Sequence, residues 1–346
     1  MVENDRNSAQ VSNQQVQALQ KEVEQFAQDF GKIQTELSKV IVGMEQVLRF
    51  TAAAIMAGGH ILLEGAPGLG KTLLVKSLAK VLGLSFSRIQ FTSDLMPSDI
   101  TGTQVLSEDE QGRRNFVFSK GPVFANIVLA DEVNRAGPKT QSALLEAMEE
   151  RQVSVLGTSY PLPEPYFVLA TQNPIELEGT YPLPEAQLDR FLFKLLVPAP
   201  SALELKEILA RTTGIRSATL APVFSEDSEL SGRRLLRMKQ LVRRVVVAPP
   251  LEDVLIGTVF ALTPGSTTCT EMVSQYVRFG PGPRGAQAVL MAAKVFALCD
   301  GRLNLSSEDI RKAIAPALRH RMILNFQAEA EGITSDEIIN QATEQA

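Results

Sequence analysis

Residues 65–72 read Gly-Ala-Pro-Gly-Leu-Gly-Lys-Thr and fit G-x-x-x-x-G-K-[ST], the loop that wraps phosphate between a strand and a helix. Gly65, Gly68 and Gly70 permit positive φ and let phosphate oxygens approach without a Cβ in the way; Ala66, Pro67 and Leu69 complete the loop. Lys71 supplies a point charge suited to β- and γ-phosphates, and the Thr72 hydroxyl suits Mg²⁺. The flanks agree. Ile61 to Leu63 reads as a short buried strand, and Leu73, Leu74, Ser77, Leu78, Val81 and Leu82 recur at helical spacing behind the loop. The loop amides would then meet an anion from a helix N-terminus.

A second chemical stretch follows 55 residues on from Lys71 to Asn126. Ile127-Val-Leu-Ala130 is continuously apolar and ends in Asp131-Glu132. A fully buried parallel strand whose carboxylates emerge at its C-terminal end is where doubly wound sheets hold ligands. This is the Walker B pattern, with Asp131 placed to hold a Mg²⁺ shell and Glu132 to polarise an attacking water. An Asp-Glu pair standing alone would be a solvated turn; downstream of a phosphate loop the chemical reading prevails. A third apolar strand, Phe167 to Thr171, leads to Asn173. That amide can hydrogen-bond a water or a γ-phosphate, or simply end a strand ahead of Pro174.

These residues need a scaffold, and the chain has the means to build one. Its 346 residues are 45% apolar and 21% charged, average for a folded globular protein of roughly two domains. The net charge of -5 gives no general drive toward nucleic acid or anionic membranes. Cys269 and Cys299 lack metal-ligand spacing and are too few for a disulfide framework, as expected in a reducing cytoplasm; two histidines cannot build a metal site. No secretory signal pattern opens the chain, and the longest weakly polar run, about Phe50 to Leu63, is too short to span a bilayer.

The pattern predicts three parts. Residues 1–18 form a polar tail expected to be disordered. Residues 19–198 hold an amphipathic helix, interrupted at Gly31, that packs on an α/β nucleotide-binding domain with a parallel sheet. Within that domain, two hairpins are expected, one turning over Ser107 to Gly112 and one near Gly157. Pro198-Ala-Pro200-Ser201 is the linker, and 201–346 reads as entirely helical. A basic run, Arg233, Arg234, Arg237, Lys239, Arg243 and Arg244, reads as a solvated helix face.

Several separate stretches then share one source of likeness. They are Ile41-Val-Gly43, the phosphate loop, Asp94 to Gly102, Gly121 to Asn126, Asp131 to Ala136, Ala170 to Pro174, Leu183 to Phe191, and Gly280-Pro-Gly-Pro-Arg284. In order and spacing they resemble the AAA+ ATPases, and among these the MoxR family of the helix-2-insert clade. The likeness runs from about Val40 to Ile338.

The resemblance implies a P-loop sheet domain followed by a smaller all-α lid, ATP and Mg²⁺ as ligands, and ATP hydrolysis. It makes Val42 and Gly43 part of the adenine pocket and Asn173 the sensor that positions the lytic water. Arg190 becomes an arginine finger reaching the neighbouring subunit's γ-phosphate. Arg284 becomes the lid's sensor arginine, expected to touch the phosphates of its own chain. Gly282 departs from the Ser that many members carry there. A finger is worth about 10³ to 10⁵ in rate, so the resemblance implies a ring, most simply a hexamer. It also implies client proteins that are remodelled or matured, with metal-cofactor insertion among the roles it allows. The other reading kept open is a nucleic-acid-associated motor or regulator.

Overall fold

The computed structural model describes residues 2–108, 112–174, 179–214 and 219–345. The chain opens with α1 (Val2–Ser38) and α2 (Glu45–Ala57), which lead into β1 (Ile61–Glu64) and α3 (Lys71–Leu82). β2 (Phe86–Gln90), α4 (Pro97–Thr101) and the hairpin β3 (Gly102–Glu108)–β4 (Arg114–Lys120) come next. After them lie β5 (Ile127–Asp131), α5 (Pro138–Glu150) and the hairpin β6 (Gln152–Val155)–β7 (Thr158–Pro161). The α/β part closes with β8 (Phe167–Gln172), α6 (Glu185–Leu188) and β9 (Phe193–Leu196). Its sheet is parallel, in the order β2-β5-β8-β1-β9.

Alternation explains why these short strands are apolar throughout. Ile61, Leu63, Ile127, Leu129, Phe167 and Leu169 point into one core, shared with α1, α2 and α3. Leu62, Val128, Ala130, Val168 and Ala170 point into a second core on the other face, with Leu144, Leu145 and Met148 of α5. A strand covered on both faces has no polar side to show.

The second part contains α7 (Ala202–Thr213), α8 (Ser228–Arg244), α9 (Pro249–Ala261) and α10 (Glu271–Tyr276). It continues with β10 (Val277–Phe279), α11 (Pro283–Cys299), α12 (Ser307–Leu318), β11 (Ile323–Leu324), α13 (Phe326–Glu331) and α14 (Ser335–Gln345). It is therefore not entirely helical: β10 and β11 pair antiparallel, and α13 follows them. Strands of three and two residues are too short to show a period of two.

The N-terminal stretch also departs from expectation. α1 is helical from Val2, through both the polar tail expected to be disordered and Gly31. No proline or other glycine precedes Gly31, so nothing in the tail breaks the helix that the apolar stripe starts further on. Val23, Phe26, Phe30, Ile33 and Leu37 are buried in the core that also holds Val289, Ala292 and Phe296 of α11. Of the first hairpin's expected turn, residues 109–111 lie outside the described residues.

Two buried histidines pin elements together. His60 Nε2 donates to Met148 O at 3.2 Å, while its Nδ1 accepts from Val168 N–H at 3.0 Å. This fixes one neutral tautomer, and burial drives the pKa down to about 3. His320 donates from Nε2 to Phe191 O at 3.0 Å, and burial likewise puts its pKa well below the ordinary value. An unfolded histidine takes up its proton near pH 6.5. Both groups thus bind a proton more readily in the unfolded chain, and stability is lost as pH falls below 6.5. The unfolding free energy from denaturant titration should drop between pH 7 and pH 5, by up to about 1.4 kcal/mol per pH unit for each histidine. Imidazole NMR signals of the folded protein that titrated near pH 6.5 would contradict this.

Candidate nucleotide site and a second basic site

The phosphate loop leaves the C-terminal end of β1 and enters α3 through Gly70. Gly68 and Gly70 have φ of +82° and +80°, values that ordinary side chains strain to adopt. Lys71 is buried, and its Nζ donates to Gly65 O at 2.6 Å across the loop. Burial lowers its pKa, against the pull of the nearby Asp131, Glu132 and Glu64 carboxylates. The loop is thus a cationic hollow at a helix start, which is the geometry that receives phosphate.

Asp131 ends β5. Its Oδ1 accepts from the Thr171 hydroxyl at 2.7 Å, and its Oδ2 accepts from Arg88 at 2.7 and 3.1 Å. Glu132 is left-handed, with φ of +58°, a conformation that costs about 1–3 kcal/mol and tends to occur at functional sites. Its N–H donates to the same Thr171 hydroxyl at 2.8 Å. Its Oε2 accepts from Gln90 and from Arg135, each at 3.0 Å. One threonine therefore orients both acids.

Because β8 lies between β5 and β1, Asn173 comes off the sheet between the acids and the phosphate loop. It is buried, and the preceding Gln172 O accepts from Gly65 N–H at 3.4 Å. The oxygen donors at hand, the Thr72 hydroxyl and the Asp131 carboxylate, suit Mg²⁺. Both Asp131 oxygens already carry hydrogen bonds, which favours contact through water. Among the described residues no cluster of three or more His, Cys, Asp or Glu could hold a metal unaided.

Beside the loop is a cavity of about 190 Å³ lined by Val42, Gly43, Leu69, Leu73, Leu205 and Ile208. Its apolar walls suit a base, and Val42 and Gly43 are among them. Gly43 has φ of +73°, and a Cβ there would meet the Glu204 carboxylate at 2.7 Å. Glu204 belongs to α7, where it and Ser201 form a capping box. The first helix past the linker therefore forms a wall of this cavity.

Arg190 and Arg284 are elsewhere. Arg190 Nη1 sits 2.7 Å from Glu149 Oε2 and donates to Leu145 O at 2.8 Å. Arg284, in the first turn of α11, donates to Glu149 Oε1 at 2.9 Å and lies 3.7 Å from Asp189. Both line a cavity of about 280 Å³ with Gly58, Gly59 and His60, and this cavity shares no residue with the one beside the loop. Gly58 to His60 lead into the N-terminal end of β1, whereas the phosphate loop leaves the opposite end, about 13 Å away along the strand.

The structure therefore does not bring Arg284 to its own phosphate loop, contrary to expectation. The reason is where the lid docks. Buried Arg321 donates to Asp189 Oδ1 at 2.7 Å, Asp189 O at 2.9 Å and Phe191 O at 2.8 Å, and Arg319 donates to Lys194 O at 3.2 Å. These bonds fasten α12 and the residues after it to the segment that carries Arg190.

Several residues of these sites escaped sequence reasoning. Arg88 and Gln90 alternate along β2 and so share a face beside β5; pairing those two strands would have exposed them. Thr171 lay inside a quoted motif without a role. Glu149 and Arg321 left no local signal, since their partners are distant in the chain.

Sheet order, loop geometry and paired acids define a P-loop ATPase domain with a helical lid, and comparison with known proteins agrees. Residues 60–193 match the ATPase family associated with various cellular activities (AAA), and residues 269–342 match the AAA lid domain. Chaperone MoxR1 of Mycobacterium tuberculosis is 43% identical over 88% of this chain and 78% of its own. Protein MoxR of Methylorubrum extorquens is 30% identical over 85% and 87%. A crystal structure of a protein from Cytophaga hutchinsonii superposes with a TM-score of 0.87 at 39% identity, covering 96% of this chain and 98% of that one. The chain belongs to the MoxR family of AAA+ ATPases.

Lys71 is the buried cation of the loop, and replacing it removes the charge that faces phosphate. Lys71→Ala should abolish ATP binding in a fluorescent-analogue titration while leaving the thermal unfolding profile cooperative; wild-type affinity would remove Lys71 from the site.

Proposed function

We propose that this protein hydrolyses ATP in a Mg²⁺-dependent manner within a ring, most simply a hexamer, and uses the cycle to remodel partner proteins. The observation that carries the reading is the separation of the two basic sites. Lys71 stands at the phosphate loop, whereas Arg190 and Arg284 line a cavity at the other end of the sheet. Arginines so placed can serve a nucleotide only on a neighbouring copy.

Within one chain, Lys71 and the loop amides bind the triphosphate, and Thr72 and Asp131 are the residues that would hold Mg²⁺. That ion, when bound, neutralises charge on the phosphate oxygens. Glu132, turned outward by its left-handed backbone and steadied by Gln90 and Arg135, accepts a proton from the attacking water. Asn173 orients that water from the adjacent strand end. Arg190 and Arg284 of the neighbour complete the positive surround of the γ-phosphate, so Arg284 acts across the interface rather than within its own chain. Phosphoryl transfer needs such positioning and neutralisation more than covalent help.

The two hairpins support a remodelling output. β3–β4 exposes Val105, Leu106, Phe116 and Val117, and Leu156 is exposed at the turn of the second hairpin. Phe118 and Tyr160 stack between them at 4.0 Å, so the hairpins are mechanically joined. Exposed apolar side chains on a linked pair of hairpins suit transient contact with unfolded or partly folded protein. The basic face of α8 gives little support to a nucleic-acid role, because Arg234 pairs with Asp29 at 2.5 Å, Arg244 with Glu22 at 3.1 Å and Arg233 with Glu229 at 3.3 Å.

Glu132→Gln should bind ATP and assemble normally yet turn over at least about 100-fold more slowly in a phosphate-release assay, the scale expected for losing a proton acceptor. Near-normal hydrolysis would dismiss Glu132 from that role. Arg190→Ala and Lys71→Ala subunits, each inactive alone, should regain activity when mixed, because a mixed interface has one intact loop facing one intact arginine. No recovery at any ratio, with mixed rings demonstrated by cross-linking, would rule out action between subunits.

A further inference from the structure

Two arginines from opposite halves of the chain meet on one carboxylate. Glu149, near the end of α5, receives Arg190 on Oε2 at 2.7 Å and Arg284 on Oε1 at 2.9 Å. Two guanidinium groups this close repel unless an anion lies between them. Asp189 is a weaker candidate, being 3.7 Å from Arg284 and engaged at 2.7 Å by Arg321. The end of α5 is itself anchored. His60 donates to Met148 O, Arg190 to Leu145 O, and Arg151 to Gly58 O at 3.0 Å. Glu149 thus stands on backbone fixed to the start of β1.

We infer that Glu149 is a positioning residue that gathers Arg190 and Arg284 into one cationic fork for the γ-phosphate bound by a second copy of this chain. The inference rests on the reading that these arginines act between subunits. A guanidinium has five N–H donors, and Glu149 engages each arginine through a single nitrogen. Arg190 also gives Nη1 to Leu145 O, and Arg284 Nη1 lies 3.7 Å from Asp189, but Nε and Nη2 of Arg190 and Nε of Arg284 are left to meet a phosphate without displacing Glu149. The carboxylate also ties an arginine of the α/β domain to one of the lid, so that the two approach the neighbour's nucleotide as a unit. Without it, mutual repulsion spreads them, and a displacement of about 1 Å can cost about 100-fold in rate.

The test uses the full-length chain under assembling conditions. Glu149→Ala should lower kcat by about 10- to 100-fold while leaving ATP-analogue affinity and ring mass unchanged. Glu149→Asp, which keeps the charge, should restore part of the loss. Subunit mixing then locates the defect. Glu149→Ala has a sound phosphate loop and a misaimed fork, so mixing with Lys71→Ala should restore activity, whereas mixing with Arg190→Ala should not. The Arg190→Ala and Lys71→Ala mixture is the control. If it fails, the reading of action between subunits falls, and this inference with it. If it recovers but Glu149→Ala with Lys71→Ala does not, Glu149 alone is excluded from the fork. Hydrolysis by Glu149→Ala at or above the wild-type rate would overturn the inference equally.

Discussion

A parallel sheet has two ends, and this chain puts its phosphate loop at one and its paired arginines at the other. The loop must leave the C-terminal end of β1, because only there do the strand's last residue and the first turn of α3 converge on a hollow of amides. The arginines are held where β1 begins, by Glu149 and by a lid fastened to the segment from Asp189 to Lys194. With the strand itself between them, no side-chain rotamer can unite the two sites. On the proposed mechanism, this separation leaves the single chain an incomplete catalyst and makes a second copy its complement.

What could be read from the sequence divides along the same line. The loop, the acids on β5, both hairpins and most helices were legible because each depends on neighbours a few residues away: a glycine permitting φ near +80°, or apolar residues recurring at the spacing of a strand or a helix. The destination of Arg284 was not legible. Its residue type and motif gave the element it sits on, but its position depends on where the lid docks. That docking rests on contacts such as Arg321 with Asp189, 132 residues apart. The short pair β10 and β11 escaped for a related reason, since five residues in two pieces carry too little pattern to outweigh their helical surroundings.

Charge on α8 shows how tertiary packing divides a run of basic residues. Read as sequence, six cations in twelve positions suggest a solvated helix face. In the fold, α1 lies against that helix, and Asp29 and Glu22 answer Arg234 and Arg244. Lys239 turns inward toward Gly58, where burial lowers its pKa. Arg233, Arg237, Arg243 and Arg244 stay exposed, so most of the run is a solvated face, and only Arg234 and Lys239 turn into the packing against α1 and the start of β1.

α5 touches both sites. Near its start, Gln141 donates from Nε2 to Val133 O at 3.3 Å and to Ala136 O at 3.1 Å, in the turn that directly follows Asp131 and Glu132. Its end holds Glu149 and the two arginines. A helix of 13 residues is about 20 Å long and stiff along its axis. On the proposed mechanism, a shift at the acids when the γ-phosphate leaves would reach the arginines held at the far end of this rod. The same rod that separates the sites also links them, so neighbouring subunits would be expected to fire in relation to one another rather than independently.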